Sequence, residues 1–381
     1  MKLLFIHDGP IYFDENGNYY RNAYSSLKEY YSSLGDEITF LMRTTSVVGG
    51  VKECFVPRDI FVISIPEFKK PQFYLRRIVK VNHIIEDAVK KADIVILRTG
   101  SVANIAVKYV RKYCKPYIYE CVGCTWDALW NYSILGKVLA PFSFLRTKRI
   151  IKKSPYVYYV TNGFLQKRYP TNGKSIGCSD VLLKMHDNSV FEKRLEKIKK
   201  NRGKIVLGTA AALNVKYKGQ RFIIQALAEL KKQGITNFEY QVIGGGDSSS
   251  LVKIAEKYGV SDQFKVIGRL NHDKVFDWLE SIDVYVQPSL TEGLPRAMIE
   301  AMSCGLPCMG TNIGGIPELI DKSMLFSKKN VKQIAELLKN INKEKMIILA
   351  EQNFTKSKEF DKNVLEKKRR IFYTEFIKSI E

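Results

Sequence analysis

Short apolar segments alternate with longer amphipathic segments along the first half of this 381-residue chain. The short segments are rich in β-branched and aromatic residues and have no polar face, which is typical of parallel strands covered by helices on both sides. They comprise residues 3–6, 37–41, 60–65, 93–97, 117–119 and 156–160. Amphipathic stretches at 21–34, 76–91 and 102–113 lie between them. This alternation predicts βαβ units and therefore an α/β fold.

The alternation restarts after residues 192–204, a charged run with few apolar residues that we interpret as a helix end and an interdomain linker. Beyond it, strands are predicted at 205–208, 239–243, 264–267, 284–287 and 307–310, and helices at 221–232, 249–258, 273–279, 297–303 and 331–340. We therefore expect two Rossmann-like, doubly wound domains, residues 1–190 and 200–355, with a ligand in the cleft between them. A basic amphipathic segment at 356–381 predicts a C-terminal helix that packs back on the first domain.

The chain is strongly basic, with 61 Lys and Arg against 39 Asp and Glu and a net charge of +22. Residues 1–200 carry +15 of that excess. Such a surface attracts polyanions, namely nucleic acid, an anionic membrane or a phosphorylated substrate, although solvated lysines that only maintain solubility give the same composition. The sequence contains no recognised RNA- or DNA-binding module, so nucleic acid is the partner that it favours least.

Neither a membrane span nor a secretory signal is predicted. No run of about 18 apolar residues occurs, and the apolar start of the chain is interrupted at His7 and Asp8, too early for a signal peptide. Seven cysteines, an odd number, indicate a reducing compartment rather than a disulfide framework. Cys121 and Cys124 have CxxC spacing, but a single such pair is weak evidence for zinc, and we predict no metal site. We therefore expect a cytoplasmic protein.

Residues 288–319 contain the clearest chemical signal. A strand ends at Pro288, and Pro295 suits the first position of a helix because its missing N–H would have no partner there. A strand–loop–helix unit of this kind places free backbone N–H groups at a helix N-terminus, where anions bind. Glu292 precedes the helix and Glu300 lies about two turns inside it. Carboxylates beside an anion site are explained by polyol hydroxyls, for which they are strong acceptors. The alternative, two solvated surface carboxylates, does not account for the surrounding glycines and prolines.

This segment resembles the E-x7-E region of the retaining glycosyltransferases of family 4, which have the GT-B fold. Glu292 and Glu300 occupy the two ends of the motif. Upstream, Lys218 and Gly219 resemble the family's donor-diphosphate loop, and residues 243–246 resemble its glycine loop beside the nucleotide. Residues 266–270 resemble the strand whose end touches the base, and residues 283–289 resemble the strand that ends in Pro-Ser. The resemblance extends over residues 205–320.

The resemblance implies a role for each matching residue. Glu292 would contact the transferred sugar and support the positive charge that develops at its anomeric carbon. Lys218 would neutralise the leaving diphosphate, so that neither a protein-bound metal nor another cofactor is required. Glu300 would bind the donor ribose. The remaining donor contacts implied by the resemblance are made by Gly293, Leu294, Pro295, Gly245, Arg269 and Leu270.

The sequence departs from the family at three places. Where the family has Gly-Arg after the first strand of the donor domain, this chain has Gly-Thr, so Thr209, Lys216 or Arg269 is expected to supply the missing contact. In the first domain, a loop that contains Gly9 stands where the family often has Gly-Gly, and no histidine follows the strand at 117–119. Gly9 is the candidate in that loop. Glu120 and Asp127 are the polar residues nearest the expected position of the histidine, and we interpret them as structural or acceptor-binding rather than catalytic.

The resemblance implies a retaining, metal-independent hexosyltransferase that uses a nucleotide-diphosphate sugar, with uridine diphosphate the commonest carrier in the family. In a front-side internal return the leaving phosphate oxygen takes the acceptor proton, so no general base is needed, in agreement with the missing histidine. A sugar-nucleotide epimerase and a transferase acting on a soluble acceptor are the alternatives. A phosphorylase would require a pyridoxal lysine context, which the sequence lacks.

Two basic segments with many apolar and aromatic residues, 134–153 and 72–80, indicate the acceptor. Both match an amphipathic helix on an anionic bilayer, and a core-facing helix with a solvated basic face is the alternative. The membrane interpretation predicts a lipid-linked saccharide acceptor and peripheral association with the inner face of the cytoplasmic membrane. The setting would be the assembly of O-antigen, capsule or another surface polysaccharide.

Overall fold

The computed structural model describes residues 1–20, 30–46, 56, 59–68, 71–183, 187–201 and 203–381. The chain divides into two compact units. The first comprises Met1–Trp126, Leu139–Cys178 and Glu366–Glu381, and the second comprises Asp127–Val138 and Ser179–Leu365. The short segment Asp127–Val138 therefore belongs with the second unit, although it lies within the predicted first domain.

The first half of the chain contains strands β1 (Lys2–Phe13), β2 (Tyr19–Tyr20), β3 (Glu37–Ser46), β4 (Phe61–Ile65), β5 (Ile94–Arg98), β6 (Tyr117–Cys121), β7 (Tyr156–Tyr159) and β8 (Lys174–Gly177). Its helices are α1 (Pro71–Lys91), α2 (Ser101–Lys112), α3 (Thr125–Trp130), α4 (Ile134–Lys152) and α5 (Phe164–Arg168). The strands form one sheet in the order β4-β3-β1-β5-β6-β7-β8, with all neighbours parallel, and β2 is added antiparallel to β1.

The second half contains strands β9 (Ile205–Ala210), β10 (Phe238–Ile243), β11 (Phe264–Gly268), β12 (Val284–Gln287), β13 (Cys308–Thr311) and β14 (Leu325–Phe326). Its helices are α6 (Asn188–Lys200), α7 (Gln220–Lys232), α8 (Ser249–Lys257), α9 (His272–Ser281), α10 (Arg296–Ser303), α11 (Val331–Lys339), α12 (Lys343–Ser357) and α13 (Lys362–Lys378). The sheet order is β11-β10-β9-β12-β13-β14, entirely parallel. This is the Rossmann order, in which the direction of winding reverses between the first and fourth strands, here β9 and β12.

The buried strands explain why the hydrophobic pattern identified the sheets. Every residue of β6 and of β12 is buried, so these strands carry no alternation and appear in the sequence as short continuous runs. The four edge strands β4, β8, β11 and β14 all keep exposed or half-exposed residues. The sequence predicted β4 and β11 but missed the short strands β8 and β14. The α/β class with two doubly wound sheets is confirmed.

The C-terminal helix α13 contributes side chains to the core of the first unit. The ring of Phe376 packs edge-on against Tyr156, with ring centroids 5.1 Å apart, and the buried ring of Tyr373 lies beside that of Tyr31. The guanidinium of Arg369 lies 3.6 Å above the ring centroid of Tyr30. The buried face of the last 16 residues, formed by Arg369, Phe372, Tyr373 and Phe376, is therefore part of this unit's core.

The interpretation of residues 192–204 as a linker is wrong. Most of this run lies in the regular helix α6, whose N-cap Asp187 accepts a hydrogen bond from the backbone N–H of Ser189 at 2.8 Å. Arg194 is only 3% exposed. Its guanidinium donates to the backbone carbonyls of Leu279, Glu280, Ile282 and Cys304. The run is charged because α6 exposes most of its surface while Arg194 fastens it to the end of α9.

Part of the predicted helix at 21–34 lies outside the described residues, as do several side chains of the basic segment at 72–80. None of the helices within the described residues is both long enough and apolar enough to cross a bilayer.

Candidate active site

Two loops meet at the carboxyl edge of the second sheet, where β9 and β12 are neighbours and the winding reverses. The backbone N–H of Leu290, in the loop after β12, donates to the carbonyl of Tyr217, in the loop after β9, at 2.7 Å. Gly219 has a φ of +79°, and a Cβ placed there would come within 2.0 Å of the carbonyl oxygen of Pro288. Only glycine permits this approach. Parallel sheets of this order bind ligands at such a reversal.

Glu292 is held at this edge by three donors that share one of its oxygens. Its Oε1 accepts from Lys218 Nζ at 2.7 Å, from Ser289 Oγ at 2.7 Å and from Gln287 Nε2 at 3.1 Å. The side chains of Glu292 and Lys218 are 12% and 24% exposed. Within the described residues, Oε2 of Glu292 has no hydrogen-bond partner. The carboxylate is thus fixed through one oxygen and has the other available for a ligand.

A buried tyrosine orients this set of donors. The hydroxyl of Tyr285, in β12, donates to Gln287 Oε1 at 2.8 Å, which directs Gln287 Nε2 towards Glu292 and towards Ser289 Oγ. Burial, together with the charges of Glu300 and Glu292, raises the pKa of Tyr285 well above its ordinary value. The hydroxyl therefore remains a proton donor. We name the group Tyr285, Gln287, Ser289, Glu292 and Lys218 the carboxylate clamp.

Helix α10 begins directly after the clamp. Its N-cap is Pro295, which has no side chain that could cap the first N–H groups. Glu300 lies half-buried within the helix, four residues after Arg296 and therefore about one turn inside it, not the two turns predicted. The loop before α10 is braced from the other side, because Gly293 accepts a hydrogen bond from the backbone N–H of Gly315 at 2.7 Å. Glu292, Gly293, Leu294 and Pro295 thus form one supported turn at the start of α10.

The other predicted donor contacts lie in loops of the same sheet edge. Gly245 accepts a hydrogen bond from the N–H of Leu213 in the loop after β9, at 2.9 Å. The N–H of Gly244 donates to the carbonyl of Gly268 at the end of β11, at 2.8 Å. Arg269 and Leu270 follow directly and are exposed and half-buried, respectively. The glycine loop is therefore joined to the ends of β9 and β11.

Thr209 requires a correction. Its side chain is fully buried, and its hydroxyl donates to the carbonyl of Val286 at 2.6 Å while it accepts from the hydroxyl of Tyr240 at 2.8 Å. The hydroxyl hydrogen is already used inside the sheet, so Thr209 cannot replace the missing arginine as a phosphate donor. Lys216 and Arg269 remain candidates.

The candidates predicted in the first domain are Glu120, Gly9 and Asp127. Glu120 is 3% exposed, accepts from Tyr31 at 2.6 Å and pairs with Arg98 at 3.2 Å. Glu120 therefore belongs to a buried ion pair, which agrees with the structural role, one of the two roles that the sequence left open for it. The N–H of Gly9 donates to His7 Nδ1 at 3.2 Å. Asp127 lies in the first turn of α3 and groups with the second unit.

An acidic residue fills the helix N-terminus on the first sheet. The Asp8 carboxylate accepts from the backbone N–H groups of Ser101 and Val102, at 2.7 and 2.6 Å, at the start of α2. A Cβ on Gly100 would lie 2.4 Å from the Asp8 side chain, so glycine is required there. This helix start is already neutralised by the protein itself.

Sequence reasoning missed Gln287 as a member of the site and did not assign Ser289 a contact. A sequence feature could have indicated them, because Gln287 and Ser289 flank Pro288 at the carboxyl end of a fully buried strand. Side chains two residues apart in an extended chain lie on the same face. In the described part of the chain, no group of three or more His, Cys, Asp or Glu side chains is arranged to hold a metal ion. Burial raises the pKa of the Cys121 thiol far above its ordinary value.

Two Rossmann-like parallel sheets, the second with a carboxylate–lysine pair at its winding reversal, are the architecture of the GT-B fold class. Residues 190–362 match the family model described as glycosyl transferases group 1. The chain is 32% identical to Protein CapJ of Staphylococcus aureus over 384 residues, covering 97% of this chain and 91% of that relative. The chain therefore belongs to the group 1 glycosyl transferases.

Two further comparisons agree with this assignment. The chain is 38% identical over 114 residues to the amylovoran biosynthesis glycosyltransferase AmsK of Erwinia amylovora, a match that covers 28% of each protein. Its fold is similar to that of Anabaena Alr3699/HepE, solved in complex with UDP and glucose, with a TM-score of 0.67, 16% identity and coverage of 96% and 97% of the two chains. The GT-B fold is confirmed.

Proposed function

We propose that this glycosyltransferase moves a hexose or N-acetylhexosamine, with retention of configuration, from a UDP-linked donor to a lipid-linked saccharide during surface-polysaccharide assembly. The observation that supports the chemistry is the 2.7 Å ion pair between Lys218 and Glu292 at the winding reversal. The UDP-bound structure of HepE supports the choice of nucleotide. The similarity to the biosynthetic enzyme AmsK supports the setting.

The polarity of the carboxylate clamp matches the charge separation of glycosyl transfer. As the bond between the anomeric carbon and the diphosphate breaks, positive charge develops on the sugar and negative charge on the leaving phosphate oxygen. Glu292 would stabilise the first and Lys218 the second. Because the clamp is already ordered, no reorganisation is required as the charges form, which is the condition for efficient electrostatic catalysis. In the absence of donor the two charges neutralise each other.

Retention follows if the acceptor approaches from the side on which the diphosphate leaves. The acceptor oxygen forms the new bond to the anomeric carbon, and its proton passes to the departing phosphate oxygen. The electron pair of the broken bond remains on the diphosphate. No protein general base is required in this scheme. Lys218 then supplies the positive charge that a metal ion provides in other transferases, and the backbone N–H groups at the start of α10 assist it.

The lipid-linked acceptor is supported by the exposed surface of helix α4. Six large apolar side chains of this helix are between 46% and 84% exposed. At 100° per residue they fall within about 140° of the circumference. Basic residues follow on the same face in the last two turns. The apolar residues are Ile134, Leu135, Val138, Leu139, Phe142 and Leu145, and the basic ones are Arg146, Arg149 and Lys152. An exposed apolar surface that adjoins basic side chains supplies the two attractions, apolar and electrostatic, that hold a peripheral protein on an anionic bilayer.

The catalytic proposal is tested by separating turnover from nucleotide binding. E292Q should lower kcat about 100- to 1000-fold, the cost of removing one preorganised electrostatic contact, while the Kd for UDP stays within about threefold. K218M should instead weaken UDP binding. K332M, which removes an exposed lysine of α11, is the matched control. An unchanged kcat in E292Q would exclude the proposed role.

Retention and the acceptor are tested on the product. The proton NMR coupling at the anomeric carbon reports its configuration, and a product inverted relative to the donor contradicts the proposed mechanism. Donor that is converted to its epimer in the absence of any acceptor would identify a sugar-nucleotide epimerase instead. Equal turnover with a soluble saccharide and with its lipid-linked form would contradict the acceptor proposal.

A further inference from the structure

A second basic feature lies in the first unit, whereas the residues of the carboxylate clamp belong to the second unit. The exposed edges of α2 and α4 enclose a groove of about 700 Å³. Five of the ten residues that line it are cationic, and two of the others, Phe142 and Leu145, are 70% and 49% exposed. The cationic residues are Lys108, Arg111, Arg146, Arg149 and Lys153. We name this feature the basic groove.

The basic groove has no compensating negative charge among the described residues. No carboxylate lies within ion-pair distance of any of its five cations there, and its remaining lining residues are Asn104, Val107 and Ile150 together with the two exposed apolar side chains. Concentrating five positive charges without counter-ions is unfavourable in the free protein, because like charges repel over this range. A bound anion would relieve that repulsion.

Two of the five cations are fixed by contacts between the helices. Arg146 donates to the carbonyl of Asn104 at 2.9 Å, and Arg111 donates to the carbonyl of Ile150 at 3.4 Å. These bonds use one guanidinium nitrogen each and join α2 to α4. The side chains of the other three, Lys108, Arg149 and Lys153, donate no hydrogen bond to described residues, and the ammonium of Lys108 lies 4.5 Å from the ring centroid of Tyr109. The groove is therefore a supported channel with three cations available to a ligand.

The groove is separate from the edge at which this sheet would receive a sugar substrate. Helix α2 starts after the carboxyl end of β5 and runs back along the sheet, so Lys108 and Arg111, in its last half, lie towards the opposite edge. Substrates of open parallel sheets bind at the carboxyl edge. A nucleotide or the saccharide acceptor is thus not the matching ligand.

The apolar rim identifies the occupant. Phe142 and Leu145 belong to the exposed apolar face of α4, so the groove adjoins the surface that we propose to rest on the bilayer. A free phosphate has no apolar group that could contact the rim, whereas an anionic phospholipid carries acyl chains next to its phosphate. We propose that the basic groove binds the headgroup phosphate of an anionic phospholipid in the membrane. This inference rests on the proposed membrane-bound function and adds a defined headgroup site on a second helix, α2.

The test is binding to sedimented vesicles of phosphatidylcholine with or without phosphatidylglycerol, at fixed ionic strength. A Lys or Arg at an anionic surface contributes about fivefold in affinity. K108Q, on α2, should therefore weaken binding to the phosphatidylglycerol vesicles about fivefold, and K108Q/R149Q/K153Q about 100-fold. Both leave the two bridging arginines intact. The matched controls are K367Q and K367Q/K368Q/K378Q, which remove the same charge from exposed positions of α13 in the same unit and should change binding by less than twofold.

The outcomes separate the groove from the proposed function. Equal weakening by K108Q and K367Q would mean diffuse attraction and would overturn the headgroup site. Binding of inorganic phosphate that K108Q abolishes, without any loss of vesicle binding, would overturn it in favour of a soluble ligand. Wild-type protein that does not bind phosphatidylglycerol vesicles at all would refute membrane docking as a whole. None of these results depends on turnover, so they are independent of E292Q.

Discussion

The hydroxyl of Ser289 provides the most direct test of the carboxylate clamp. Ser289 is completely buried, and its Oγ lies 2.7 Å from Glu292 Oε1. The substitution S289A removes this oxygen and adds nothing, so the backbone and the neighbouring strand should be unaffected. Glu292 then keeps two of its three donors, Lys218 and Gln287. The expected effect is a carboxylate that is present but less precisely directed.

The magnitude follows from the kind of bond that is lost. A hydrogen bond to a charged group contributes about 1.5–3 kcal/mol, and each 1.36 kcal/mol of transition-state stabilisation is tenfold in rate. The full loss would lower kcat about 10- to 150-fold. Because two donors remain, we expect the lower end, about tenfold. KM for the donor should change little, since Ser289 acts on the charge that develops during transfer and not on the bound nucleotide.

The assay is steady-state turnover of the nucleotide sugar, measured beside thermal unfolding of the same preparation. S303A is the matched control, because Ser303 is equally buried but its hydroxyl donates only to the backbone carbonyl of Glu300, at 2.7 Å. S303A should retain kcat within about twofold. A value of kcat for S289A within twofold of the wild type, with the fold intact, would show that the clamp does not position Glu292 for catalysis.

Two further predictions concern stability. R194M should leave the backbone carbonyls of Leu279 and Cys304 without their guanidinium donor, while Lys197 still donates to those of Glu280 and Ile282. We expect it to cost about 3–5 kcal/mol and to lower Tm by roughly 10 °C for a unit of this size. K193M, on the exposed face of α6, should lower Tm by less than about 2 °C, and scanning calorimetry distinguishes the two. Burial opposes ionisation of Glu239, but hydrogen bonds from its neighbours, including Lys265 and Lys204, outweigh it and lower its pKa to about 2. The contribution of Glu239 to stability is therefore fully present above the unfolded pKa of about 4.3 and is lost as the pH falls towards 2. E239Q should flatten the acid side of the curve of unfolding free energy against pH. An unchanged acid side would contradict this prediction.

The sequence predicted the sheets and the ends of the E-x7-E motif because both depend on local rules. Strand β12 was predicted at its observed bounds, since it is buried on both faces and stops at Pro288. Helix α10 starts one residue before the predicted position and ends at Ser303, where Gly305 has the left-handed φ of +65° that terminates a helix. These features are encoded within a few residues of where they act.

The misjudged features depend on contacts between distant parts of the chain. Thr209 follows the right strand, yet its hydroxyl faces Tyr240 and Val286 on the neighbouring strands, and no local pattern specifies that direction. Arg194 appeared as one charge in a basic run, although the spacing of Phe191, Leu195 and Ile198 was that of a helix with a buried face. Side-chain direction and long-range partners decide such cases.

The order of synthesis gives the C-terminal helix a further significance. The first unit needs residues 366–381 for its aromatic core around Tyr31 and Tyr156, and these residues are synthesised after Ser179–Leu365 of the second unit. The whole second unit is made beforehand, a delay on the order of ten to forty seconds in bacteria at about 5–20 residues per second. The second unit can therefore complete its fold first, while the aromatic core of the first unit remains incomplete. A nascent chain that does not yet contain residues 366–381 would leave the rings of Tyr31 and Tyr156 without these partners, so the first unit can complete its aromatic core only after the second unit has been made.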